Sequence, residues 1–213
     1  MGTDSYASGV LLDLDGTLVD TVFHHVITWS EAFKEHGYNV PLWRIHAAIG
    51  MGSDRLVPWL LGEHVPEADG ISDGHRQRFL NYADEFRPTN GAAALIDDLG
   101  SRGVSFLIAT SAEAEVREAL LAALGMKDLA TTDADDVESA KPAPDLLLTA
   151  CSQLGVEPTN ATLVGDSPWD AETARRVGIR TFAVRCGGFG EQQLSAAGAL
   201  GIVDDPLALV GRL

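Results

Sequence analysis

Short apolar runs recur along the chain, each closed by a glycine, an acid or a hydroxyl, with stretches of helical spacing between them. The first is Gly9-Val10-Leu11-Leu12-Asp13-Leu14-Asp15-Gly16, where apolar residues give way to two acids and a glycine. A run of this length bounded by a turn signal suits an inner strand of a parallel sheet. Periodicity alone does not separate it from a buried helix, but Gly16 favours the strand by supplying a tight turn. Similar runs predict strands at Ser105 to Ala109, Leu129 to Thr132, Thr162 to Val164 and Thr181 to Val184. Helices are predicted at Ala92 to Leu99, Ala112 to Leu124, Asp145 to Leu154 and Asp170 to Val177. That alternation is α/β, a doubly wound parallel sheet. From Asp20 to about Arg87 the strands stop, and Val22, Val26, Trp29, Ala32 and Phe33 fall at helical spacing. Arg87-Pro88-Thr89-Asn90-Gly91 then reads as a return linker. The predicted organisation is a core of residues 1–20 and 88–213, with an inserted all-helical cap domain over residues 21–87. An insertion there rises over the carboxyl edge of the sheet, where it can close as a lid and exclude water.

Composition narrows the function classes. At 213 residues and 46% hydrophobic content the chain suits one core with an inserted module better than two equal domains. It has no apolar run of membrane-spanning length, and Met1 to Ser8 lacks the charged and apolar regions of a signal peptide. The expected location is cytoplasmic. Cys151 and Cys186 have neither metal-ligand spacing nor the density of a disulfide scaffold, so they read as reduced structural thiols. A net charge of −16 disfavours nucleic acid and anionic membranes. No protein partner is implied. Asp133, Asp135, Asp136 and Glu138 read as a solvated loop or face.

Candidate chemistry gathers at the strand ends. If the extended geometry of the first strand continues to Asp15, Asp13 and Asp15 share one face. Two adjacent anions are costly unless a hard divalent cation, most simply Mg²⁺, neutralises them; the alternative is a pair of ordinary turn residues. Thr162-Leu163-Val164-Gly165-Asp166 repeats the device, with Asp170 four residues on. In a doubly wound sheet these ends converge on one crevice, making Asp166 and Asp170 candidate ligands. Asp170 equally suits a helix-capping position. Only three of the fifteen basic residues are lysines, and Lys141 stands in Ala140-Lys141-Pro142-Ala143-Pro144, where two prolines stiffen the backbone. Its ammonium can balance a carboxylate and a phosphate oxygen together, or simply be solvated. Thr110 and Ser111 follow an apolar strand and either donate to an oxyanion or cap the next helix.

Together, in this order, these elements resemble the haloacid dehalogenase superfamily of phosphotransferases over nearly the whole chain. Asp13-Leu14-Asp15-Gly16-Thr17 looks like the first motif of that family, Thr110 the second, Lys141 the third, and Gly165-Asp166 through Asp170 the fourth. The resemblance implies that Asp13 is a nucleophile forming an aspartyl phosphate and Asp15 the general acid and base. Thr110 would hold the phosphoryl group, with Ser111 beside it, and Lys141 would orient Asp13. It also implies Mg²⁺ on Asp13, the Asp15 backbone carbonyl and Asp166, with Asp170 as ligand or cap. An acid at Asp15 argues against halide displacement, because a halide leaves without a proton. Ile49-Gly50-Met51-Gly52-Ser53 looks like the specificity loop of the family's helical cap, or is a plain connector. His25 stands at the spacing of a cap histidine of β-phosphoglucomutase-like relatives, with a packing role as the alternative. His24 beside it points elsewhere on a helix, so the pair does not suit a metal. The implied activity is Mg²⁺-dependent hydrolysis of a small-molecule phosphomonoester, phosphoglycolate phosphatase-like or on a sugar phosphate. The runner-up is a sugar phosphomutase. Against the overall negative charge, the substrate would be drawn by the metal, Lys141 and cap arginines such as Arg44 and Arg55.

Overall fold

The computed structural model describes residues 8–132 and 144–213. In chain order the elements are β1 (Gly9–Leu12), α1 (Val22–Glu35), α2 (Leu42–Ala48), α3 (Ser53–Leu61), α4 (Ala68–Leu80), α5 (Ala92–Ser101), β2 (Phe106–Ile108), α6 (Ala114–Leu124), α7 (Asp145–Leu154), β3 (Ala161–Gly165), α8 (Pro168–Arg176), β4 (Arg180–Val184), α9 (Glu191–Ala197) and β5 (Gly201–Val203). The strands form one sheet in the order β2-β1-β3-β4-β5 with every pairing parallel. Side chains alternate between two cores. Val10, Leu12, Ile108 and Val164 pack with α5 and α6 on one face, and Leu11, Leu107 and Leu163 with α7 and Ala174 of α8 on the other. Burial on both faces is why β1 reads as an unbroken apolar run rather than an alternating one.

The sheet order puts β2 and β3 on opposite sides of β1, so the chain reverses direction across the sheet at the β1/β3 boundary. A crevice opens beyond the carboxyl ends of two such strands. Asp13 follows β1 and Asp166 follows β3, so both stand at its mouth.

Helices α1 to α4 enclose a core of their own, built from Val26, Trp29, Phe33, Ile45, Leu56, Leu60 and Ile71 among others. On α1 the buried Val22, Val26, Trp29 and Phe33 follow a three-or-four spacing that draws one apolar stripe. The chain's outward and return passes between these helices and the sheet are hydrogen-bonded together: Asp20 N–H donates to the Arg87 carbonyl (2.9 Å) and Thr89 N–H to the Leu18 carbonyl (3.0 Å). Among the described residues no helix is long and apolar enough to cross a membrane.

One expectation is corrected and one strand is added. The strand expected at Leu129 to Thr132 is an isolated parallel bridge between Thr131 and Ile108 among the described residues. Its backbone pairing is confined to Ile108, and Thr132 continues it with a side chain, Oγ1 accepting from Thr110 N–H at 3.2 Å. The sheet also extends past Val184: α9 packs Leu194 against Ala183 and Phe189, and the short β5 pairs with β4. Lys141 and the acids Asp133, Asp135, Asp136 and Glu138 lie outside the described residues.

Candidate active site

Asp13 sits one residue beyond β1 and prolongs its ladder, its N–H donating to the Val164 carbonyl at 2.9 Å. Asp13, Asp166 and Asp170 are all buried, and one carboxylate oxygen from each lies within 4.8 Å of the others. The Thr17 hydroxyl stands 3.0 Å from Asp13 Oδ2 and 3.0 Å from Asp166 Oδ1. It has one proton and can donate to only one of them at a time. Three buried carboxylates converging around such a point repel one another, and their oxygens are the donor type a hard divalent cation takes. The residues present therefore fit a metal such as Mg²⁺. For Asp170, cap and cluster coincide. Its Oδ2 accepts from Ser167 N–H (3.0 Å) and Ser167 Oγ–H (2.6 Å) as a capping box at the start of α8, which fixes the carboxylate beside the other two.

Asp15 borders the same cavity but has other partners. β1 ends at Leu12, Asp13 adds one more ladder bond, and residues 14–19 form a tight turn in which Leu18 and Val19 N–H both donate to the Leu14 carbonyl. Asp13 and Asp15 therefore do not present adjacent anions on one strand face, and the Asp15 carboxylate is not in the three-acid cluster. Its Oδ1 instead meets Thr21 Oγ1 (3.1 Å) and His25 Nε2 (2.9 Å). His25 lies flat on Phe79 (ring centroids 3.8 Å apart) and its Nδ1 meets His75 Nε2 at 2.9 Å. His75 in turn stacks on Trp29 at 4.0 Å. Burial, aided by the neighbouring His25, pushes the His75 pKa well below the usual imidazole value, so that ring is neutral. His24 faces Tyr82 and Phe86, away from His25.

A cavity of about 260 Å³ lies over these groups, bounded by Asp13, Asp15, Asp166 and Asp170 below and by the helices of residues 22–80 above. Thr110 and Ser111 line it from beyond β2. Thr110 Oγ1 also accepts from Ala112 N–H at 3.1 Å, so it shapes the turn toward α6 while bordering the cavity. Gly50 lines it from the α2–α3 loop with φ +99°, and a Cβ there would come within 2.5 Å of Ser167 Oγ. The Gly50 backbone thus rests directly on the start of α8, where Trp169 Nε1 also donates to the Ala47 carbonyl at 3.0 Å. Arg44 and Arg55 are not among the cavity's lining residues; the guanidinium there is Arg76 of α4. Arg76 reaches from the helical layer to Glu113 ahead of α6 (3.0 Å), and its Nε is buried without a hydrogen-bond partner among the described residues.

His75 and Arg76 belong to no motif, yet α4 carries a signal. Ile71, His75 and Phe79 are spaced by four along a polar helix, so His75 occupies the apolar stripe. Gly187 is a further hidden contributor, lying against Asp166 so closely that a Cβ would fall 1.8 Å from Oδ2. Next to it the Cys186 thiol donates to the Gly16 carbonyl at 3.1 Å. Burial, with Asp166 nearby, pushes the Cys186 pKa up to about 12, so it stays a protonated structural thiol.

The model of the haloacid dehalogenase-like hydrolase family matches residues 7–178. N-acetylmuramic acid 6-phosphate phosphatase of Pseudomonas aeruginosa is 31% identical over 215 residues, spanning 96% of this chain and 93% of that protein. Fructose-1-phosphate phosphatase YqaB of Escherichia coli is 30% identical over 192 residues, spanning 84% and 96%. Among solved structures, a hydrolase from Pseudomonas syringae matches with a TM-score of 0.91 at 31% identity, over 94% of this chain and 95% of that one. With the β1/β3 crevice, its buried acids and these matches in hand, the chain belongs to the haloacid dehalogenase-like hydrolases.

Proposed function

We propose that the protein is a Mg²⁺-dependent phosphatase of small phosphomonoesters, sugar phosphates foremost, acting through a phosphorylated Asp13. The buried convergence of Asp13, Asp166 and Asp170 beneath a small cavity carries this reading, and the sugar-phosphate phosphatases among the relatives support it. Held by Asp13, Asp166, Asp170 and the Asp15 backbone carbonyl, the ion would supply positive charge that offsets repulsion between a carboxylate and a phosphate dianion. The chain's own groups do the rest. An Asp13 oxygen attacks phosphorus as the ester P–O bond breaks, and Asp15 gives its proton to the departing alkoxide. A water, losing its proton to Asp15, then cleaves the aspartyl phosphate to inorganic phosphate. Thr110 and Ser111 donate to phosphoryl oxygens, and Lys141 balances charge at Asp13. Residues 21–87 act as the cap, with His25 holding Asp15 and Gly50 in the loop facing the leaving group. Free thiols suit a reducing, cytoplasmic setting.

Asp13→Asn is expected to abolish release of inorganic phosphate from a panel of phosphosugars, phosphoglycolate and nucleotides. Persistent turnover would overturn the mechanism. The contact of His25 with Asp15 favours a second reading, a sugar phosphomutase, in which a sugar hydroxyl replaces water as the phosphoryl acceptor. Incubation with β-glucose 1-phosphate and a bisphosphate primer separates the two: isomer formation without net phosphate release belongs to the mutase.

A further inference from the structure

We propose that His75 is a positioning residue that, through its hydrogen bond to His25, fixes the ring whose Nε2 aims the Asp15 carboxylate at the leaving group. This rests on the reading of Asp15 as the acid and base. The three groups form one line, from Asp15 beyond the sheet through His25 on α1 to His75 on α4, with both links at 2.9 Å.

Stacking alone does not fix His25. Its ring lies nearly parallel to Phe79, with 7° between the planes, and that contact sets the plane of the imidazole. It is indifferent to a half-turn flip of the ring about the Cβ–Cγ bond, which keeps the plane and exchanges nitrogen and carbon edges, because an apolar face reads both alike. The bond from Nδ1 to His75 removes that freedom, and only with Nδ1 engaged on the α4 side does Nε2 point at Asp15. His75 is itself held by its stack on Trp29, 8° from parallel. Being neutral, it has one N–H to give. One assignment that satisfies both links has His75 Nε2–H donating to His25 Nδ1 and His25 Nε2–H donating to Asp15, and the reverse direction, His25 Nδ1–H to His75 Nε2, closes the first link equally well. Partners behind a working side chain are worth about 10- to 100-fold where measured in other sites, because a small misplacement is felt at the reacting atoms.

The test compares His75→Phe, which keeps a ring against Trp29 but deletes the nitrogens, with His75→Gln, whose amide can occupy the place of Nε2. Full-length protein with Mg²⁺ is assayed on phenyl phosphate and 4-nitrophenyl phosphate, two esters of similar shape. The second leaving group is the weaker base and needs its proton less. For His75→Phe, kcat/KM on phenyl phosphate is expected to fall about tenfold, the scale of one lost hydrogen bond. The fall on 4-nitrophenyl phosphate is expected to be several-fold smaller, inhibition by inorganic phosphate to stay as in wild type, and His75→Gln to recover most of the loss. Equal losses on both esters, or a His75→Gln variant worse than His75→Phe, would show packing alone and overturn the inference. Wild-type protein that releases no phosphate from either ester would instead overturn the phosphatase reading on which it rests.

Discussion

Adding a single methyl group at Gly187 tests whether the three acids must sit where they do. A Cβ on Gly187 would stand 1.8 Å from Asp166 Oδ2, 2.7 Å from its Cγ and 2.9 Å from its Cβ. Clearing the 3.0 Å that real Cβ atoms keep, from 1.8 Å, displaces that oxygen by about 1.2 Å. Asp166 has little room to yield, because it is 3% exposed, accepts from or adjoins Thr17 at 3.0 Å, and has Gly16 close on another side. Mg²⁺ demands oxygen ligands at about 2.0–2.1 Å in near-ideal octahedral geometry, so a shift of this size removes Asp166 as a ligand. Misplacement by about 1 Å near reacting groups costs about 100-fold, equivalent to about 2.7 kcal/mol of barrier. Gly187→Ala is therefore expected to lower kcat/KM about 100-fold and to raise the Mg²⁺ concentration needed for half-maximal phosphate release. Far-UV circular dichroism and the thermal midpoint show whether the variant is folded. Gly100→Ala, on α5 with nothing within 4 Å of the new methyl, is the control and is expected to keep wild-type activity. A folded Gly187→Ala protein with unchanged turnover and Mg²⁺ dependence would refute the placement of the ion on Asp166.

Thr17→Val removes the hydroxyl between Asp13 and Asp166 and leaves an apolar group of similar shape in a fully buried position. The variant is expected to lose about 1–3 kcal/mol of stability in urea unfolding, and saturating Mg²⁺ is expected to raise the stability of the wild type; a wild-type stability that Mg²⁺ leaves untouched would count against the site. For His75, the folded pKa lies below the unfolded one, because burial disfavours the charged ring. Below about pH 6.5 the unfolded chain then binds more protons than the native one, so this group's contribution is intact above that pH and is lost as pH falls toward the native value, by at most about 1.4 kcal/mol per pH unit. The wild-type thermal midpoint is expected to drop more steeply between pH 7 and pH 5 than that of His75→Phe, and parallel curves would contradict the burial of a neutral ring.

The parts of the fold legible in the sequence are those where local chemistry and global environment agree. Val10, Leu11 and Leu12 form a continuous apolar run because both faces of β1 are covered, and Asp13 ends it because a charge cannot continue into that core. The same reasoning located Asp166 after β3. It faltered where the backbone leaves its regular path. Asp15 follows the strand alternation in sequence, but a tight turn from residue 14 carries its side chain to Thr21 and His25. Residues 129–132 have strand composition, yet a single bridge is what the described segment forms. The three residues of β5 are too few and too partly buried to announce a strand.

The order of apolar and polar positions by itself determined the α/β class, the helical interruption and the acids at the ends of the first and third strands. Each of these is set by burial and spacing within a dozen residues. Only the tertiary structure decided that Asp13, Asp166 and Asp170 meet within 4.8 Å, that Gly187 from beyond β4 is pressed against one of them, and that His75 stands behind His25. Those distances depend on how strands distant in sequence line up side by side and on how the helices of residues 22–80 settle over them. No local pattern encodes such a juxtaposition, because any one of these residues, taken in its own stretch of chain, is satisfied by an ordinary turn, cap or packing role.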